Sequence, residues 1–174
     1  MGYRKERKCE REPDPILKLR RARLKAIMVR EQEAAERDGK KFAPKVSVWW
    51  EILDDGKNGE HKGVRFWDNY SFVKSFEEES EYVIREGTRI GDLAAFVAYD
   101  LHDGADFFEE DVDINFAELE GEEVIAGLEP RKFKEEPATG TRTVSETLQL
   151  AERAEKVAAK AEAEEEENFQ DIPF

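Results

Sequence analysis

The chain has 174 residues, of which 40% are charged and 39% hydrophobic, with one cysteine and a formal net charge of −14. That length suits one domain with tails, and so high a charge fraction confines the core to part of it. No apolar run is long enough for a membrane helix or a secretory leader, and Cys9 alone makes no internal disulfide, which predicts a reducing cytoplasm.

Residues 1–15 contain two prolines and no hydrophobic period, and read as a flexible basic arm. Over residues 20–30, Ala22, Leu24, Ala26 and Met28 alternate with Arg21, Arg23 and Lys25, which predicts a strand although Leu, Lys, Arg and Ala also suit a helix. A polar connection follows, with Asp38-Gly39 as its turn. "KVSVWWEIL" is rich in β-branched and aromatic residues and lies between Pro44 and "DDGKNG". Val46, Val48, Trp50 and Ile52 share one side of it; Ser47, Trp49 and Glu51 share the other. "HKGVRFWDNYSFV" alternates again, Val64, Phe66, Asp68, Tyr70 and Phe72 against Arg65, Trp67, Asn69 and Ser71. The two segments predict a hairpin, with Val48, Trp50, Phe66, Tyr70 and Phe72 in the core.

The period then changes. Ile90, Leu93, Ala94, Val97 and Leu101 recur at helical spacing behind Thr88 as N-cap, with Arg89, Asp92 and Asp100 on the polar side. "EGEEVIAGLEPRKF" predicts one more strand, with Val124, Ala126 and Leu128 facing one way. Pro137 and "ATGT" set a domain edge near residue 138. Thr143 and Glu146 have capping-box spacing and open a helix whose apolar stripe is mostly alanine. From Asn168 onward the composition predicts disorder.

Charge is divided unevenly along the chain. Residues 1–65 carry 18 Lys/Arg against 12 Asp/Glu, and the rest carry 10 against 30. Such opposition points to nucleic-acid contact at one end and a solvated acidic tail at the other. If the first three strands pair in order, their outward sides form one face of Arg21, Arg23, Lys25, Trp49, Arg65, Trp67 and Asn69. Cations track phosphates and aromatic faces stack unpaired bases, so this combination suits single-stranded nucleic acid. The competing expectation is that Trp49 or Trp67 packs beneath a helix or loop.

The order of elements, three strands, a helix and more strand, is that of a mainly β, OB-fold-like barrel with one short packed helix, followed by a helical or disordered acidic tail. A fifth barrel strand is expected near residues 112–119 or 129–134, or is missing. The expected organisation is a basic arm over 1–15, an OB-fold-like domain over 16–137, a linker and Ala/Glu-rich helix over 138–167, and a tip over 168–174. No phosphate loop, dinucleotide fingerprint or supported nucleophile–histidine pair occurs, so an enzyme is not expected, nor a cofactor or metal. The acids between Asp106 and Asp113 are read as a solvated loop, with a Mg²⁺-dependent nuclease as the minor alternative.

The ending "QDIPF" after an acidic run resembles the C-terminal tip of bacterial single-stranded DNA-binding proteins, which ends in Asp-Ile-Pro-Phe. Asp171, Ile172, Pro173 and Phe174 match it residue for residue, while Gln170 and the preceding glutamates replace aspartates. The resemblance implies docking on replication, recombination and repair enzymes, with the Phe174 ring in an apolar pocket and the acids on basic side chains. The body, over about residues 20–130, is similar instead to a family of small phage proteins thought to bind single-stranded DNA through an OB-like core. Gly63, Trp67, Asp68 and Asn69 carry most of that likeness. Together these imply a phage-type, sequence-independent single-stranded DNA-binding protein in the cytoplasm of a bacterial host. The rival expectation is an acidic mimic that fills a host enzyme's docking pocket without binding DNA. No membrane partner is expected, and a homo-oligomer is left open by the sequence.

Overall fold

Strands form where the alternation is strongest. The computed structural model describes residues 2–3, 15–56, 59–132 and 135–152. Most of the basic arm, the Ala/Glu-rich stretch and the tip Asp171–Phe174 lie outside the described residues. The long strand β1 (Leu19–Gln32) is followed by a small hairpin of β2 (Ala35–Arg37) and β3 (Lys40–Phe42), then by β4 (Lys45–Asp54) and β5 (Arg65–Ser71). A two-stranded ribbon, β6 (Val73–Lys74) with β7 (Tyr82–Val83), leads into α1 (Arg89–Leu101). The last strands are β8 (Glu123–Arg131), β9 (Gly140–Thr143) and β10 (Gln149–Leu150).

The main sheet runs β10-β8-β1-β4-β5, with β9 also paired to β8, and it curls into an OB-fold-like half-barrel. All the pairings are antiparallel. Val46, Val48, Trp50, Ile52, Phe66 and Tyr70 are buried, as the alternation predicts, and Phe72 packs half-buried against them. Helix α1 begins where predicted, because the Thr88 hydroxyl accepts a bond from the Gly91 amide at 3.1 Å. Its stripe of Ile90, Leu93, Ala94 and Val97 closes one side of the core. Each of the larger of these side chains contributes roughly 1.5–3 kcal/mol by leaving water.

Three expectations change. The fifth strand is β9, at Gly140–Thr143, outside both segments where it is expected; residues 116–119 are a 3₁₀ turn and 129–131 belong to β8. The sheet therefore continues past the edge expected near residue 138. Thr143 does not cap a helix. It sits in β9 with its side chain buried, and residues 145–147 form a 3₁₀ turn before β10. The reason is long-range: the Thr143 amide and hydroxyl both bond Asp68 on β5, at 3.0 and 2.6 Å. Finally, Met28 does not continue the inward set. A register shift between Ala26 and Met28 sets Met28 opposite Trp49 and Val29 opposite Val48, so Val29 packs against the core instead.

The strands β5 and β9 meet through side chains rather than a ladder. Asp68 is almost fully buried and pairs with Arg89 of α1 at 2.7 Å. Arg89 also donates to the carbonyls of Asn69 and Thr143. A carboxylate only accepts, so the Thr143 proton points to Asp68 and the Tyr70 hydroxyl, 2.5 Å away, donates to Thr143. Burial, then the Asp68 charge, push the Tyr70 hydroxyl well above its ordinary value, against the pull of Arg89. For Arg89, burial acts to lower the pKa, and the Asp68 and Tyr70 charges outweigh it. On the polar side of α1, Asp92 accepts from the Ser145 hydroxyl at 2.6 Å and Asp100 from the Leu150 amide at 3.3 Å.

Candidate nucleic-acid interface

The outer face of β1, β4 and β5 is a grid whose rows are fixed by register. Arg30, Ser47 and Asn69 form one row; Met28, Trp49 and Trp67 the next; Lys25, Glu51 and Arg65 the third. Trp49 and Trp67 lie directly opposite each other, with ring centroids 4.9 Å apart and planes tilted by 35°. Both are half-buried, so each keeps part of its ring open to solvent. Trp50, their neighbour, is fully buried on the other side of the sheet. One strand therefore divides its two adjacent indoles between the core and the outer face, as strand geometry requires.

Around the indoles the polar groups hold one another in place. The Ser47 hydroxyl donates to Asn69 Oδ1 at 2.6 Å. Arg65 pairs with Glu51 at 3.1 Å, and Arg23 with Glu123 of β8 at 3.3 Å. Lys25 is exposed and lies in register between Glu51 and Glu123. Arg21 is exposed at the start of β1, where it lines an open groove of about 730 Å³ with Arg20, Arg23, Asp54 and Gln149. The sheet thus gathers Arg23, Lys25, Trp49, Arg65, Trp67 and Asn69 on one face, with Arg21 at its margin. It also interleaves the cations with carboxylates, which composition along a single strand does not reveal.

Arg30 is the residue that sequence reasoning missed. Its guanidinium stands 5.3 Å from the Trp67 ring centroid, a cation–π arrangement that fixes one side of the indole. Strict alternation from Lys25 turns position 30 toward the core; the bulge at Ile27 restores it to the outer face. A bulge of one residue leaves no compositional mark, so only the observed register gives Arg30 its place.

Among the described residues, no three His, Cys, Asp or Glu side chains converge as metal ligands. Asp106 in the acidic loop accepts from the Phe108 and Glu109 amides, at 3.1 and 3.3 Å, and so serves its own turn. No helix among the described residues is long and apolar enough to cross a membrane. Compared with family models and with curated protein sequences, the chain matches none.

Proposed function

We propose that the protein binds single-stranded DNA without sequence preference and acts in phage DNA replication, recombination or repair in the bacterial cytoplasm. The observation that carries this reading is the Trp49–Trp67 pair, half-open on an outer sheet face and braced by Arg30. Every base has a π face and duplex DNA hides it, so exposed indoles select unpaired strands without reading their sequence. OB-type barrels use the same strand pair for oligonucleotides, which supports the reading at the level of the fold alone. The role is binding rather than catalysis. The tip Asp171–Phe174 would recruit replication and repair enzymes, with an apolar anchor led by acids toward basic pockets.

The acidic balance, and the carboxylates that hold Arg23 and Arg65, favour the alternative of an acidic mimic without DNA affinity. Tryptophan fluorescence during titration with oligo-dT separates the two. Trp50 is buried and supplies a constant background, so quenching by single strands, absent with duplex, reports Trp49 and Trp67. No quenching and no retained complex at low salt would sink the DNA-binding reading. A chain lacking its last eight or so residues should bind the oligonucleotide more tightly at low salt, because the acidic tail shares the sign of DNA. Equal affinity of the two chains would remove the tail as a competitor.

A further inference from the structure

The seam between β5 and the β8–β9 hairpin holds a recess of about 460 Å³. Four of its lining residues are cations, Arg89, Arg131, Lys132 and Arg142, and none of the lining among the described residues is a carboxylate. In a chain with 42 acids, a wall of that composition runs against the overall charge. Arg89 pairs with Asp68 and Arg142 with Glu129, and both of these acids lie outside the lining. The Nε of Arg89 is buried with no hydrogen-bond partner among the described residues. Arg131 lies flat over Gly140, where a Cβ would come within 2.9 Å of its guanidinium, so the glycine makes room for the cation.

The recess continues the outer face. Asn69 and Ser71 line it, and Asn69 is the next outward residue after Trp67 on β5, about 6.8 Å further along the strand. The β1 cations offer the competing track, but Glu51, Asp54 and Glu123 stand among them in register. A phosphodiester carries a full negative charge, and the carboxylates that stand among the β1 cations oppose it more directly than Asp68 and Glu129, which lie behind the lining of the recess.

We infer that this recess takes a phosphodiester of the bound strand, so that the backbone leaves the tryptophan pair along β5 toward the β8–β9 turn rather than along β1. The inference rests on the single-strand reading above and names the backbone path of that same interface. The first arm uses no DNA. Inorganic pyrophosphate, titrated at millimolar concentration into the isotope-labelled full chain, should shift the Asn69, Thr139 and Arg142 signals together; an unmoved set overturns the site. The second arm measures oligo-dT affinity against salt for the wild type, for Arg131→Gln/Lys132→Gln and for Lys62→Gln on the remote β4–β5 loop.

Loss of that phosphate contact should flatten the log–log slope by about 0.7 in the double variant, with the Lys62→Gln slope unchanged. Indole quenching at saturation should persist, since the rings remain. If the wild type quenches and the double variant keeps its slope, the path is wrong while the single-strand reading stands. If the wild type binds no oligonucleotide, both readings fall, and pyrophosphate shifts then report only a small-anion site.

Discussion

Successive residues of β5 serve two environments that differ in almost every physical respect. Phe66, Asp68 and Tyr70 face inward and are nearly inaccessible, and Asp68 is bonded by Arg89 and by both donors of Thr143. Arg65, Trp67 and Asn69 face outward, and each is held by one neighbour on β4, Glu51, Trp49 and Ser47 in turn. The inward set holds the seam of the half-barrel, where the loss of a partner is costly. The outward set is arranged but left accessible, as a surface awaiting a ligand must be. Stability and binding are therefore separable along one strand, and substitutions on its two sides should affect different measurements.

The largest effect belongs to Asp68. Asp68→Ala leaves Arg89 without its carboxylate and the Thr143 amide without an acceptor. Removing one member of a buried pair costs about 3–5 kcal/mol, because the remaining charge stays desolvated. Chemical denaturation measures this, and a loss below about 1 kcal/mol would mean that the seam between β5 and β9 is not held by this contact. In the same experiment Asp68→Asn should keep part of the stability, since an amide oxygen still accepts from Thr143.

That seam is also what sequence reading could not reach. The strands around Trp50 and Phe66 and the helix behind Thr88 were legible because alternation, helical period and capping act over a few residues. Asp68 and Thr143 are 75 residues apart, and nothing local marks them as partners. Thr143 and Glu146 have the spacing of a capping box, so local pattern assigned to a helix what tertiary contact makes a strand. In the candidate interface, Trp49 and Trp67 could be placed on one face from alternation alone. Their opposition, the carboxylates beside Arg23 and Arg65, and Arg30 over the Trp67 ring all depend on register. The tip Asp171–Phe174, which carries the family resemblance at the terminus, lies outside the described residues.

On the outward side, Trp67→Ala and Trp49→Ala should each weaken oligo-dT binding by about 1–3 kcal/mol, which is about 5- to 150-fold. Their cost in stability should stay near or below about 1 kcal/mol, the scale of a cross-strand pair. If either change unfolds the protein while leaving residual affinity per folded molecule intact, the indole pair is part of the packing and the contrast between the two sides of β5 fails.

Tyr70→Phe sharpens the inward side. The ring remains and only the hydroxyl bond to Thr143 is lost, so about 1 kcal/mol at neutral pH is expected. The alkaline behaviour is more specific. The folded pKa of Tyr70 lies above its unfolded value of about 10, so its contribution is complete below pH 10 and is lost as pH rises further. The wild type should therefore lose stability above about pH 10 more steeply than Tyr70→Phe. Parallel curves for the two proteins would show that the hydroxyl ionises as readily folded as unfolded.

The smallest effect tests how far the outward carboxylates restrain the face. Glu51 is about a quarter exposed and Arg65 about half, so their ion pair contributes at most about 1 kcal/mol to stability. Its larger consequence is for binding, because Glu51 occupies Arg65 and repels phosphate in the same row as Lys25. Glu51→Gln keeps the shape and removes the charge. For a backbone that leaves toward the seam, oligo-dT affinity and salt slope should change little. A strand that crossed this row would bind more tightly, with a slope steeper by about 0.7 as Arg65 gained one phosphate contact. An unchanged slope with unchanged affinity means the strand does not cross that row, which agrees with a backbone that leaves Trp67 toward Asn69 and the seam. A steeper slope draws the path back across β4 toward β1, so the weakest substitution still decides the direction of the bound strand.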